Sequence, residues 1–90
     1  MNKIETFIGF AIKSGAVQYG VVNIIKSGSR IQLVLINGEE ETSSKQKIVN
    51  FCNRNNIKVK ILKEKSFQLK NVQAIGISNE NLATQILKQD

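Results

Sequence analysis

Hydrophobic positions recur along this chain with two different periods. Ile4, Phe7, Ile8, Ala11 and Ile12 fall at helical spacing, with Asn2 as N-cap, Glu5 three residues on and Gly15 as a stop, which predicts a helix over about Lys3 to Ser14. AVQY at 16–19 is just long enough for a vestigial strand. Val21, Val22, Ile24 and Ile25 then form a second stripe, about two turns long, that ends at Lys26 and Gly28. IQLVLI at 31–36 is apolar almost throughout, as a strand covered on both faces should be. IKVKIL at 57–62 instead alternates Ile57, Val59 and Ile61 with Lys58 and Lys60, the pattern of a half-exposed edge strand. Between these strands, Ser43 and Gln46 resemble a capping box, Ile48, Val49, Phe51 and Cys52 give a helix its inward face, and Asn55 and Asn56 end it. A strand, helix, strand unit of this kind makes its two strands parallel. VQAIGI at 72–77 again reads as a central strand, and Ser78 is placed to cap a last helix bearing Leu82, Ala83, Ile86 and Leu87 on one side.

The resulting order, αβαβαββα, predicts an α/β fold in which helices cover both faces of a small mixed sheet in three layers. With 90 residues, no proline and no internal repeat, the chain reads as a single domain, 1–90. No apolar run approaches the roughly 20 residues of a membrane span, and Glu5 interrupts the first apolar segment, unlike a signal peptide. Neither a membrane partner nor an export address is expected. A lone cysteine, Cys52, makes an intramolecular disulfide impossible and is compatible with a reducing cytoplasm.

The absence of histidine removes Ser-His-Asp and Cys-His nucleophilic arrangements, His-based acid or base catalysis and most zinc sites. Cys52 sits on the apolar face of its helix and reads as core rather than nucleophile. Glu39, Glu40 and Glu41 precede a helix start, where carboxylates complement the dipole more readily than they build a cation site. Gly76 inside a strand points to close packing rather than to a ligand. The glycines match neither a phosphate-binding Walker loop nor a dinucleotide fingerprint. No cofactor, metal or small-molecule substrate is therefore expected, and no catalytic residue is assigned. What remains is charge: a net +6 and an isoelectric point near 9.7 favour anionic partners. Lys45, Lys47, Arg54, Lys58, Lys60, Lys63, Lys65 and Lys70 are offset between them only by Glu64, and outside the inward face of the predicted helix only Phe67, in the connection after the edge strand, sets an aromatic beside them. Such a run is either a solvated surface or a phosphate-contacting one.

Three stretches carry a resemblance over nearly the whole chain. GFAIKSG at 9–15, IIKSGSRIQLVLI at 24–36 and SSKQKIVNFCNRNNIKV at 43–59, with Cys52 where many relatives carry a Cys, are similar in order and spacing to the kink-turn-binding ribosomal protein superfamily. Its small bacterial YlxQ-type members are the most similar. The resemblance implies an α/β/α sandwich with sheet order 1-4-2-3, the first strand vestigial, and an RNA-binding, non-catalytic function associated with the ribosome or a structured RNA. It also implies a contact face built from Lys13, Gln18, Tyr19, Asn23, Lys65, Ser66 and Phe67. In that face Lys13 and Lys65 would neutralise phosphates, Gln18 and Asn23 would bond sugar or base edges, and Tyr19 or Phe67 would stack on a base. Two departures weaken the expected recognition. The start of the second helix lacks the family's acidic or polar base readers, with Tyr19, Gly20 and Asn23 in their place, and the loop before the last strand is shortened to SFQLKN at 66–71. Losing base readers while keeping lysines would leave a weaker, less selective RNA binder. The second hypothesis is a protein-interaction module that kept the fold and lost the RNA.

Overall fold

The computed structural model describes residues 3–37, 43–62 and 74–89. In chain order these form α1 (Lys3–Lys13), β1 (Val17–Tyr19), α2 (Gly20–Ser27), a short 3-10 turn (Gly28–Arg30), β2 (Leu33–Asn37), α3 (Ser43–Asn55), β3 (Lys58–Leu62), β4 (Ala74–Ile77) and α4 (Glu80–Leu87). The strands make one mixed sheet in the order β1-β4-β2-β3. β2 and β3 are parallel, from Leu33 beside Lys58 to Asn37 beside Leu62, while β4 is antiparallel to both β2 and β1. The expected order and the expected edge position of the lysine-bearing strand both hold, and β1 is a remnant of three residues.

Two apolar clusters, one on each face of the sheet, make the three layers. Ile8 and Ala11 of α1 and Ala83 and Ile86 of α4 pack with Leu33, Leu35, Ile75 and Ile77. On the other face Ile24 of α2 and Ile48, Phe51 and Cys52 of α3 pack with Val34, Ile36 and Ala74. Leu33 through Ile36 and Ala74 through Ile77 are buried without exception, which is why both strands read as uninterrupted apolar runs.

Local signals end the elements where the pattern placed them. Gly15 takes φ of 72°, and the bonds Ala16 N–H to Ala11 O (2.8 Å) and Gly15 N–H to Ile12 O (3.1 Å) close α1. Asn56 plays the same part after α3, with φ of 56° and Ile57 N–H donating to Cys52 O at 2.9 Å. Other expectations need correction. The last helix is capped by Asn79, whose Oδ1 accepts from Leu82 N–H at 2.9 Å, because Ser78 is still held to the sheet through its own N–H on Ala16 O. Gln46 does not complete a capping box: its Nε2 donates forward to Asn50 Oδ1 at 3.2 Å. β2 begins at Leu33 rather than Ile31, since the 3-10 turn intervenes and delivers Ile31 into the second cluster instead.

The edge strand departs from simple alternation. Ile57 and Val59 pack against the second cluster as predicted, but Ile61 is 43% exposed. α3 links two parallel strands and so runs antiparallel to them, which sets its polar first turns, Ser43 to Lys47, over the end of β3 where Ile61 lies. Among the described residues of these turns no apolar side chain is available to cover it. Lys60 is half-buried, and its ammonium donates to Gln89 O just beyond α4, so this cation serves the fold. No helix of the described residues is long and apolar enough to cross a membrane.

Candidate nucleic-acid interface

The turn from β1 into α2 begins with a left-handed residue, Gly20, at φ of 83°. A side chain there would be strained, so the glycine lets the chain reverse from strand to helix without a connecting loop. Tyr19 occupies the N-cap position in extended conformation but supplies no capping side-chain bond, and the first turn of α2 has no carboxylate. Gly28 closes the helix after eight residues, with its N–H on the carbonyls of Ile24 and Ile25. α2 is thus defined by glycine at both ends and anchored by the one fully buried side chain it owns, Ile24.

The residues expected to touch RNA are spread over this region. Lys13 is exposed at the end of α1. Gln18 lies within β1 opposite Gly76 and is half-buried, so it is part of the sheet more than a protruding reader. Tyr19 is 39% exposed. Asn23 is exposed, and its Nδ2 donates one hydrogen to Tyr19 O at 2.9 Å, which leaves the other hydrogen and Oδ1 to face outward. β1 is three residues long, so Lys13 and the start of α2 are separated by about 10 Å of strand. Lys65, Ser66 and Phe67 lie outside the described residues, as do Glu39, Glu40, Glu41, Lys63 and Lys70.

The basic run resolves into side chains of different kinds. Lys45 is only 6% exposed and is committed inside the fold; Lys60 is bound to the end of α4. Lys47, Arg54 and Lys58 remain exposed. Lys47 and Arg54 line an open groove of about 560 Å³ between α2 and α3, together with Asn50, Asn53 and Ile25. Spacing along α3 explains the row: Lys47, Asn50 and Arg54 stand at i, i+3 and i+7, on one stripe beside the inward stripe of Ile48, Phe51 and Cys52. The two asparagines escaped notice in the sequence because neither residue type nor hydropathy marks them. Only the helical spacing from Lys47 could have done so.

The two helical layers differ in charge. α2, the 3-10 turn and α3 carry Lys26, Arg30, Lys45, Lys47 and Arg54 with no Asp or Glu, whereas α1 and α4 carry Lys3 and Lys13 against Glu5 and Glu80. Four of the five cations in the first layer are exposed, Lys45 being the exception. The described helices of the α2/α3 layer are therefore uniformly cationic, while the other side mixes signs, with Lys58, Lys60 and Lys88 adding to Lys3 and Lys13 against Glu5 and Glu80.

Cys52, 0% exposed, contributes nothing to either face; burial pushes its thiol up to about 11, so no thiolate forms near neutrality. Since the folded state holds this proton above the unfolded value near 9.0, the stability linked to it is complete below pH 9 and is lost as pH rises toward 11. Alkylation by iodoacetamide at pH 8 should accordingly be slow in the native protein and immediate in denaturant. Equal rates in the two conditions would show that the thiol is accessible and the assignment to the core mistaken.

No protein-family model matches the sequence, and no curated protein matches it. A solved structure described as a protein with unknown function from Bacillus halodurans is similar over 97% of this chain and 95% of that one, with a TM-score of 0.79 and 18% sequence identity. At that identity the likeness is one of fold: the same arrangement recurs in a chain of nearly equal extent.

Proposed function

We propose that this protein is a non-catalytic RNA-binding protein that holds structured RNA chiefly through its phosphates, with weakened recognition of kink-turns. The observation that carries the reading is the set of exposed cations Lys26, Arg30, Lys47 and Arg54 on α2, the 3-10 turn and α3, elements that contain no carboxylate. Counterion release from RNA gives such a face its affinity. Selectivity needs side chains aimed at base edges, and the start of α2 offers few: Gln18 is half-buried, the Asn23 amide is tied back to Tyr19 O by one of its two hydrogens, and Tyr19 is only 39% exposed. The resemblance to kink-turn-binding ribosomal proteins agrees with this division of labour, since the positions where those proteins read bases are the ones that differ here.

An anisotropy titration tests it, using a labelled kink-turn RNA and an unstructured RNA of equal length. Both should bind at low salt and weaken as salt rises, with the kink-turn preferred by less than about tenfold, against the roughly thousandfold or more of base-reading proteins. Absence of binding to either RNA at low salt would contradict the proposal and favour the protein-interaction module. A thousandfold preference would show that kink-turn reading survived.

A further inference from the structure

We infer that the groove between α2 and α3 is the seat of the RNA sugar-phosphate backbone, and that this site, rather than the junction of β1 and α2, supplies most of the affinity. The inference rests on the RNA-binding reading and adds where and how the contact is made. What distinguishes the groove is that every one of its polar side chains can donate. Lys47 and Arg54 are fixed cations. Asn50 accepts from Gln46 through Oδ1, which leaves its Nδ2 hydrogens free to donate outward, and Asn53 adds a second exposed amide. Phosphate oxygens are pure acceptors, and a ribose hydroxyl accepts as well as donates, so a row of donors matches one edge of an RNA strand.

Dimensions agree with that match. Lys47 to Arg54 spans seven residues of α3, about 10 Å of helix axis, enough to follow two or three successive phosphates of a duplex strand. The same row argues against other occupants. Among the described residues no aromatic side chain lines the groove, so they offer unpaired bases no stacking platform. Among the described residues Ile25, 41% exposed, is the one apolar residue lining it and Val22, 65% exposed, stands outside, so these residues supply no cluster of apolar anchors for a peptide. The ligand class is the backbone of paired RNA, held by charge and by amide donors without reading sequence.

The test uses the whole chain and a fluorescein-labelled RNA hairpin with a fully paired stem, titrated at several salt concentrations. The double variant Lys47→Ala with Arg54→Ala should bind at least tenfold more weakly at low salt, and its slope of log affinity against log salt should be flatter by about 1.5. Asn50→Ala with Asn53→Ala should weaken binding and leave that slope unchanged, because amides release no counterions. Lys47→Arg with Arg54→Lys should restore the slope. All four side chains are exposed, so thermal melting controls for folding. Wild-type binding that persists with its slope intact in the double alanine variant would overturn the inference while leaving RNA binding standing, and transfer of the slope change to Lys13→Ala would return the site to the end of α1. Failure of the wild-type protein to bind any RNA would instead remove the reading on which the inference rests. Competition by poly-glutamate as effective as by RNA of equal charge would overturn it in favour of an acidic protein partner.

Discussion

Replacing Ile24 by alanine should cost about 2 to 5 kcal/mol of unfolding free energy, a large share of the roughly 5 to 13 kcal/mol expected for 90 residues. Two turns of helix cannot persist alone in water, so α2 exists because its inward face is buried. That face is narrow. Ile24 is 0% exposed and Val21 half-buried, while Val22 and Ile25 are 65% and 41% exposed. Deleting the Ile24 side chain therefore removes most of what ties the helix to the sheet and opens a cavity among Ile31, Val34 and Ile36. Urea unfolding followed by far-ultraviolet circular dichroism reads the loss, and Val22→Ala serves as the control, expected to lie within about 0.5 kcal/mol of wild type. A cost below about 1 kcal/mol for Ile24→Ala would mean that α2 is retained by something other than this side chain. Because α2 forms one wall of the proposed RNA groove, the same variant links packing to binding.

A second large effect is expected at Gly76, through overpacking rather than a cavity. A Cβ at this position would lie 2.9 Å from Ile31 Cδ1 and 3.1 Å from Ile24 Cγ1, with Ile31 Cγ2 at 3.3 Å. Its backbone is ordinary extended strand, so alanine would gain about 0.5 to 1 kcal/mol from the reduced backbone entropy of the unfolded chain. The overlap outweighs this, since both isoleucines are buried and their neighbours are filled. Gly76→Ala should destabilise by about 1 to 3 kcal/mol and Gly76→Val by more. Truncating the obstruction separates the causes: in the background of Ile31→Ala, the cost of Gly76→Ala should shrink by about 1 kcal/mol or more. Neutrality of Gly76→Ala in the native background would show that α2 and the 3-10 turn have room to retreat from the sheet.

These two sites mark how far the sequence carries the fold. Elements whose cause is local were legible in it: the periodic stripe of α1 and its stop at Gly15, the doubly covered runs of β2 and β4, and the lysine alternation that places β3 at an edge. What escaped depends on neighbours remote in the chain. Close packing at Gly76 was legible, but not its partners, Ile24 and Ile31, some 50 residues earlier. Ile61 follows the inward alternation yet is exposed, and Lys45 belongs to the basic run yet is buried. Asn79 displaces Ser78 as cap because the sheet extends one hydrogen bond further than the apolar run. The candidate site divides in the same way. The basic excess was visible as a charge run, but its sorting into a groove row of Lys47 and Arg54, a buried Lys45 and a structural Lys60 appears only when α2 and α3 lie side by side.

The central claim is that one face of this sandwich binds RNA and the other does not. Titrating a paired RNA hairpin into the nitrogen-15-labelled protein, followed by two-dimensional amide spectra at low salt, examines both faces at once. Shifts concentrated on Ile25, Lys26 and the exposed stripe of α3 from Lys47 to Arg54, with α1 and α4 silent, are the predicted result. Shifts centred on α1 and α4, or a spectrum unchanged at saturating RNA, would contradict it.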